Sequence, residues 1–145
     1  MIIRSLKREE LPQVAKLEQL CFSHPWSEKS LTDSFDNPSA VFLAAFDGEV
    51  RGYVGAEVNY DGIYILNVAV HPDFRRQGIG KRLIESLIEN SSEEISFITL
   101  EVRPTNSAAV EMYASLGFEE VGRRKNYYSE PTEDAIIMTK ELHSS

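Results

Sequence analysis

A glycine-containing segment behind an apolar run carries the clearest chemical signal in this sequence. It reads Arg-Arg-Gln-Gly-Ile-Gly-Lys over residues 75–81, and Arg82 adds a fourth basic side chain. Glycines let the backbone approach a ligand closely and adopt positive φ. The first N–H groups of a following helix lack intrahelical partners and, with the helix dipole, form an anion site. The segment therefore predicts an anionic ligand in an otherwise acidic chain.

Two familiar phosphate-binding motifs are absent. The sequence contains no G-x-x-x-x-G-K-[ST], which excludes a P-loop nucleotide-binding protein. The dinucleotide motif G-x-G-x-x-G fails because Leu83 stands where its third glycine is required. What remains is Arg75-x-x-Gly78-x-Gly80. Taken alone, so short a motif fits a tight strand-to-helix turn with solvated arginines equally well.

The single cysteine, Cys21, could serve as a nucleophile only as an activated thiolate beside a base. His24 follows three residues later, but Cys21 closes an amphipathic segment in which a buried structural cysteine is expected. A structural role for Cys21 is therefore favoured over that of a nucleophile that forms a covalent intermediate. The histidines His24, His71 and His143 lack the spacing of metal ligands, so the sequence predicts no metal.

The elements that must position these residues indicate an α+β fold, a single domain over residues 1–145 with a mixed central β-sheet flanked by helices. Apolar periodicity and turn signals predict strands over 1–5, 41–46, 50–60, 63–70, 95–102, 118–126 and 135–140. Helices are expected over 9–20, from an N-cap at Ser27 to residue 35, over 81–90 and over 106–116. The run 63–70 is almost continuously apolar and is expected to be a buried central strand.

The amino-acid composition and the net charge exclude several classes of protein. Apolar residues are 42% and charged residues 26% of 145, which is typical of a soluble globular domain. No apolar run is long enough for a membrane span, and the first residues lack a signal segment. With one cysteine, a cytoplasmic location is expected. The net charge of -8 argues against direct nucleic-acid binding and suits a basic partner.

The strand, glycine loop and helix together resemble the pyrophosphate loop of the GNAT superfamily of N-acetyltransferases. The resemblance extends to four segments of the second half of the chain: Leu100–Arg103, Asn106–Ala109, Tyr113 and Leu116–Glu119. Three further segments, His24–Glu28, Arg124–Tyr128 and Glu133–Met138, are similar to the RimI-type enzymes. Those enzymes acetylate the N-terminal alanine of a small-subunit ribosomal protein.

The resemblance implies a GNAT-like fold with acetyl-coenzyme A as the acetyl donor. The pantetheine arm would pair with the strand at Val68, Ala69 and Val70, and a backbone N–H near Val70 would hold the oxyanion. The residues implied for the pyrophosphate are Arg76, Gln77, Gly78, Ile79, Gly80 and Lys81. Asn106 and Tyr113 would contact the end of the pantetheine.

The catalytic roles follow from the same resemblance. Glu101 would accept the proton of the attacking amine, because an α-amino group with a pKa near 7.7–8.0 is mostly protonated at neutral pH. Tyr113 would protonate the departing thiolate. From position alone, Glu101 could equally be a solvated strand-end glutamate, and Tyr113 could be a core aromatic.

The acceptor is expected to be a protein N-terminus, of a basic ribosomal protein. The side chains implied at its binding site are His24, Trp26, Tyr127, Tyr128 and Asp134, with the last three in or near a loop between the closing strands. Two alternatives stay open at this point: a GNAT enzyme for another protein N-terminus or a small-molecule amine, and a non-catalytic coenzyme A-binding module. The joint presence of Glu101 and Tyr113 argues against the second.

Overall fold

Seven strands and four helices make up the regular structure of residues 1–142, the part of the chain that the computed structural model describes. The strands are β1 (Ile2–Ser5), β2 (Ala40–Asp47), β3 (Glu49–Asn59), β4 (Gly62–Val70), β5 (Phe97–Val102), β6 (Glu119–Tyr128) and β7 (Glu133–Glu141). The α-helices are α1 (Leu11–Cys21), α2 (Glu28–Phe35), α3 (Ile79–Glu89) and α4 (Ser107–Ser115). The strands form one sheet in the order β1-β2-β3-β4-β5-β7-β6, with parallel and antiparallel pairs. The predicted α+β class with a mixed sheet is confirmed.

The described residues group into two units. The first contains Met1–Val58 and Leu66–Ser91, and the second contains Asn59–Ile65 and the chain from Ser92 onward. Strand β4 gives its beginning to the second unit and its end to the first. A single domain over residues 1–145 stays a prediction.

The first unit is built on antiparallel pairing of β1 with β2 and of β2 with β3. The turn between β2 and β3 contains Gly48 at φ 78°, a conformation that favours glycine. Helix α1 buries Leu11, Val14 and Leu17 on one face, as the apolar periodicity predicts, and it also buries Glu18. Helix α2 begins after Ser27, whose side chain accepts a hydrogen bond from the Ser30 N–H at 3.0 Å. The predicted N-cap is therefore confirmed.

The second unit pairs β5 in parallel with the start of β4 and antiparallel with β7, and β6 is the edge strand beyond β7. Gly62 stands opposite Phe97, whose ring fills the place of a side chain: a Cβ at position 62 would lie 2.3 Å from Phe97 Cζ. The register of β4 with β5 covers Gly62–Tyr64 and Phe97–Thr99, whereas β5 continues to Val102. The carboxyl end of β5, with Glu101, thus extends beyond that register.

Three sequence expectations need correction. Strand β4 is largely half-buried, with Gly62, Ile63 and Ala69 as its buried residues, so continuous apolar character does not mean continuous burial. Helix α3 begins at Ile79 rather than at residue 81, because the positive φ of Gly78 already ends the loop. Strand β6 runs on to Tyr128, so Tyr127 and Tyr128 belong to a strand and not to the loop.

No helix within residues 1–142 has both the length and the apolar character that crossing a membrane requires.

Candidate active site

The turn from β4 into α3 leaves backbone amides at the start of the helix without a side-chain cap. Arg76 and Gly78 both have positive φ, 63° and 76°, and Arg76, Gln77 and Gly78 are exposed. Ile79 and Gly80 are buried in the first helical turn. Backbone N–H groups in such a turn, at the positive end of a helix dipole, suit an anion such as a diphosphate.

A glycine on the neighbouring strand allows α3 to approach the sheet. A Cβ at Gly52 would lie 3.0 Å from Ile79 Cγ2 and 3.2 Å from the Ala69 carbonyl oxygen. A larger residue would therefore push the first turn of α3 away from strand β4. Sequence reasoning missed Gly52, and a glycine inside an apolar strand was the available signal.

Arg75 contacts the backbone instead of extending as a solvated cation. Its Nε donates to the Val70 carbonyl oxygen at 3.1 Å, and the Cys21 thiol donates to the same oxygen at 3.3 Å. The residue thus braces the loop against the end of β4. Because of this hydrogen bond, Arg75 is not one of the freely solvated arginines that a simple tight turn would carry.

The Cys21 thiol is poorly suited to nucleophilic attack. Cys21 is the last residue of α1 and is half-buried, where a fully buried position was expected. Desolvation raises the pKa of the thiol, and the hydrogen bond and charge of Arg75 oppose that increase only in part. A thiol with a raised pKa has a smaller thiolate fraction at neutral pH.

Glu101, in the second unit, has one carboxylate oxygen in contact with a cation and one without a partner. Its Oε1 lies 3.4 Å from Arg124 Nε, while Oε2 is buried and has no hydrogen-bond partner among the described residues. A buried oxygen without a donor is costly. The arrangement leaves Oε2 free to accept a hydrogen bond from water or from an amine.

Two tyrosines of the same unit, Tyr127 and Tyr128, interact electrostatically with this carboxylate, and a third, Tyr113, interacts with Tyr128. Desolvation, and then the hydrogen bond and charge of Glu101, raise the pKa of Tyr127. Desolvation and the Glu101 charge raise the pKa of Tyr128 to about 12. Burial, with a smaller effect of Tyr128, raises the pKa of Tyr113, which is 6% exposed and packs on Phe118. Tyr113 is therefore a protonated hydroxyl at neutral pH.

Arg103 clamps the turn between β6 and β7 from the end of β5. Its guanidinium donates to the carbonyl oxygens of Pro131 at 2.9 Å and Ser129 at 3.1 Å, and it lies 3.2 Å from Glu133 Oε1. The same guanidinium stacks 4.3 Å from the centre of the Tyr128 ring. Sequence reasoning quoted Arg103 within a motif and missed this contact, because the partners lie about thirty residues away along the chain.

Two of the predicted site residues, Asn106 and Asp134, form hydrogen bonds that stabilise the local backbone. The Asn106 side chain accepts from the Ala109 N–H at 3.3 Å, so Asn106 is the N-cap of α4 and not its first helical residue. This leaves its amide NH2 group as the part that can reach a ligand. Asp134 Oδ1 accepts from the Asn126 N–H at 2.9 Å, where Asn126 has a positive φ of 53°. That bond stabilises a bulge in the β6–β7 hairpin.

The two remaining predicted residues lie in the segment 22–27 of the first unit. His24 is exposed, and Trp26 is half-buried and lines an open groove of about 770 Å³ together with Pro25, Ser27, Ser30, Asp33, Ser34, Glu57 and Leu66. The Trp26 N–H donates to Glu18 Oε1 at 2.9 Å. The structure thus brings His24, Trp26, Val68–Val70 and Arg76–Lys81 into the first unit, and it brings Glu101, Asn106, Tyr113, Tyr127, Tyr128 and Asp134 into the second.

Residues 1–142 contain no group of three or more His, Cys, Asp or Glu side chains placed to hold a metal ion. His143 lies outside the described residues.

Known proteins with this combination of fold and loop identify the family. A profile of the acetyltransferase (GNAT) family matches residues 11–118. The chain belongs to the GNAT family. It is 37% identical over 139 residues to the ribosomal protein bS18-alanine N-acetyltransferase of Escherichia coli (strain K12), which is 94% of each chain.

Solved structures agree with that GNAT membership. The crystal structure of the ribosomal-protein-S18-alanine N-acetyltransferase from Escherichia coli matches with a TM-score of 0.89 and 34% identity, over 99% of this chain and 95% of that one. An aminoglycoside 6'-N-acetyltransferase complexed with coenzyme A shares the fold, with a TM-score of 0.82 at 21% identity over 100% of this chain and 99% of that one.

GNAT membership confirms the GNAT-like fold, the similarity to RimI-type enzymes and acetyltransferase activity with acetyl-CoA as the donor. A non-catalytic module is therefore set aside. The roles of individual residues remain predictions.

The first prediction concerns Cys21, the one cysteine of this GNAT protein. In the folded protein at pH 8, iodoacetamide should alkylate Cys21 at least about tenfold more slowly than in the urea-unfolded chain, because a half-buried thiol with a raised pKa offers less thiolate. The measurement is the alkylation rate followed by intact-mass spectrometry. Cys21→Ala should keep most of the acetyltransferase activity. An acetyl group appearing on Cys21 within one turnover would contradict direct transfer.

Proposed function

We propose that this protein transfers the acetyl group of acetyl-CoA to the N-terminal amino group of a ribosomal protein, at an N-terminal alanine. The observation that carries the proposal is the 37% identity, over 94% of both chains, to an enzyme named for alanine acetylation of ribosomal protein bS18. Such coverage spans the acceptor segments of both units as well as the cofactor loop. The reaction belongs to the cytoplasm, where ribosomal proteins are made.

Most of the residues proposed to bind the cofactor lie in the first unit. The diphosphate of acetyl-CoA binds the amides of Arg76, Gln77, Gly78, Ile79, Gly80 and Lys81, which are at the uncapped start of α3. The pantetheine arm pairs with Val68, Ala69 and Val70, and Asn106 and Tyr113 contact its end. A backbone N–H near Val70 is the donor proposed for the oxyanion. The His71 N–H is already engaged, because it donates to the Arg51 carbonyl oxygen at 2.7 Å, and the Val70 carbonyl oxygen accepts hydrogen bonds from Arg75 and Cys21.

Glu101 acts as the general base on the ammonium group of the acceptor. The unpartnered, buried Oε2 supports this role, because it offers a lone pair to the amine or to one intervening water. The released amine attacks the thioester carbonyl directly. Arg124 beside Oε1 balances the charge of the carboxylate while Oε2 takes the proton.

Tyr113 acts as the general acid on the leaving coenzyme A thiolate. The GNAT motif that contains Tyr113 supports the assignment. Burial raises the pKa of Tyr113, so the hydroxyl keeps its proton over the whole neutral range, although the same shift makes it a weaker acid. The residues proposed to contact the acceptor chain are His24 and Trp26 of the first unit and Tyr127, Tyr128 and Asp134 of the second. The net charge of -8 favours the approach of a basic protein terminus.

A peptide panel tests the proposed reaction. The protein is incubated with acetyl-CoA and short basic peptides that differ in their first residue, and with an aminoglycoside and a polyamine, and the products are weighed. We expect acetylation at the α-amino group of peptides beginning with alanine. Acetylation of the small amines alone would replace the proposal with metabolite acetylation.

The second prediction tests the cofactor loop through Gly78. Gly78→Ala should weaken acetyl-CoA binding at least about tenfold in calorimetry, because its added methyl enters the open space beside the loop and strains the positive φ. Gly48→Ala is the matched control, since Gly48 has φ 78° and also open space around its Cβ position. Both variants should lose about 1–2 kcal/mol of stability from the same backbone strain. Equal acetyl-CoA affinity in the two variants would contradict the loop assignment.

The third prediction tests Glu101. Glu101→Gln keeps the shape but cannot accept the proton, so kcat/KM at pH 7 should fall by about 10²–10⁴. Raising the pH above the amine pKa of about 8 should partly restore the rate, because free amine is then supplied by the solution. Glu141→Gln, an exposed glutamate at the end of β7, is the control and should stay at wild-type activity. The measurement is the pH–rate profile of Glu101→Gln and of Glu141→Gln.

The fourth prediction tests Tyr113. Tyr113→Phe keeps the ring but removes the proton donor, so kcat should fall by about a hundredfold or more. Raising the pH should not restore the activity of Tyr113→Phe, because this variant lacks a proton donor and is not short of free amine. Tyr60→Phe, with Tyr60 99% exposed, is the control. If both the Glu101 and Tyr113 variants match wild type over about pH 6–9, a range spanning the amine titration, neither residue is catalytic.

A further inference from the structure

A carboxylate lies wholly inside the first unit, where the helical pattern calls for an apolar residue. Glu18 is 0% exposed and shares the buried face of α1 with Leu11, Val14 and Leu17. Burying a carboxylate is unfavourable unless hydrogen bonds satisfy both oxygens. Nothing in the proposed chemistry uses this group directly, so its place in the fold requires another explanation.

Three donors from three different parts of the chain satisfy the Glu18 carboxylate. Oε1 accepts the backbone N–H of Trp26 at 2.9 Å. Oε2 accepts the Tyr53 hydroxyl at 2.6 Å and the Asn67 side-chain amide at 2.5 Å. Asn67 Oδ1 in turn accepts the Val68 N–H at 3.1 Å, which fixes the orientation of the carboxamide. Glu18 therefore acts as an acceptor at both oxygens.

The Glu18 carboxylate joins the segment 22–27 to strand β4. The proposed function requires these two elements to be held together. Trp26 belongs to the segment 22–27, the acceptor loop, and lines the groove with Leu66 of β4. Asn67 comes directly before Val68–Val70, the strand proposed to hold the pantetheine. The buried Glu18 carboxylate thus links the acceptor loop, through the Trp26 N–H, to the strand proposed to bind the cofactor, through the Asn67 side chain.

We propose that Glu18 is a positioning residue for acetyl transfer: its carboxylate binds the Trp26 amide and the Asn67 carboxamide and so sets the acceptor loop against β4. This inference rests on the proposed function, in which the acceptor loop contacts the protein N-terminus. Glu18 does not touch substrate. Its loss should therefore raise the KM for the peptide far more than it weakens acetyl-CoA binding.

A glutamine at position 18 cannot reproduce the three contacts. It offers one acceptor oxygen and one NH2 donor, whereas the Trp26 N–H, the Tyr53 hydroxyl and the Asn67 NH2 group all approach as donors. Whichever way the amide is turned, a donor faces a donor. Glu18→Gln is therefore nearly isosteric and still breaks the link.

The experiment measures the loop and the reaction separately. Trp26 is the only tryptophan, so its fluorescence and its quenching by acrylamide report on the acceptor loop without any activity. For Glu18→Gln we expect the quenching constant to rise about twofold as the loop opens locally. The peptide KM should rise about tenfold, while the acetyl-CoA Kd stays within about threefold of wild type.

Tyr53→Phe is the matched control. It removes one donor to Oε2 and the 3.3 Å hydrogen bond that the Tyr53 hydroxyl accepts from Asn67, and it leaves the hydrogen bonds of Glu18 with Trp26 and Asn67 in place. We expect it to lower the melting temperature by an amount comparable to Glu18→Gln and to leave the peptide KM and the Trp26 quenching near wild type. If both variants change KM and quenching alike, the effect is general destabilisation and the proposal is overturned.

A second variant tests whether restored complementarity rescues the loop. Combining Glu18→Gln with Asn67→Asp exchanges carboxylate and amide, so that the amide at position 18 donates to a carboxylate at position 67 while its oxygen accepts from Trp26. We expect this double variant to recover most of the wild-type KM and quenching. A double variant that folds without recovery overturns the proposal. If neither variant folds, Glu18 serves folding rather than positioning, which also overturns it.

Failure of the proposed function is recognised separately. A wild-type protein that acetylates none of the peptides disproves the acceptor assignment, whereas the fluorescence of the same variants still reports whether Glu18 holds the loop. Unchanged quenching in a folded Glu18→Gln variant overturns the link itself.

Discussion

The reversal of the chain from β4 into α3 is the constraint on which the cofactor region depends. Within a few residues the backbone must leave the sheet and start a helix that points its free amides outward. Positive φ at Arg76 and Gly78 makes that reversal. The absence of a side chain at Gly52 lets Ile79 pack against the sheet. Arg75 then ties the loop to Val70, so the anion site is held from both ends.

The second unit depends on a different principle, the placement of a carboxylate with an unpaired oxygen among tyrosines. Burial raises the pKa values of Tyr113, Tyr127 and Tyr128, and the charge of Glu101 adds to the increase for Tyr127 and Tyr128, so these hydroxyls stay neutral at neutral pH. Arg103 maintains the arrangement by holding the β6–β7 turn and the Tyr128 ring.

The buried Glu18 joins three segments of the first unit through a single side chain. Its three donors come from the acceptor loop, from β3 and from β4, so a single side chain couples elements that are far apart along the chain. A network of this kind is unfavourable when partly satisfied and rigid when complete. With all three donors present, the Glu18 network is suited to holding the acceptor loop in one position.

The sequence by itself determined the local structure and the chemistry of the candidate residues. Glycines at 78 and 80 after an apolar strand indicate an anion loop, and Ser27 indicates a helix start, because backbone preferences and side-chain chemistry are local properties. Acetyl transfer is implied by the resemblance of the segments around Glu101 and Tyr113 to the GNAT family. Only the tertiary structure decided which donors face Glu18, that Arg75 turns back to Val70, that Asn106 caps α4, and that Arg103 holds a turn about thirty residues away. Those contacts depend on where distant segments meet in space, and pairing of that kind leaves no periodic signal along the chain.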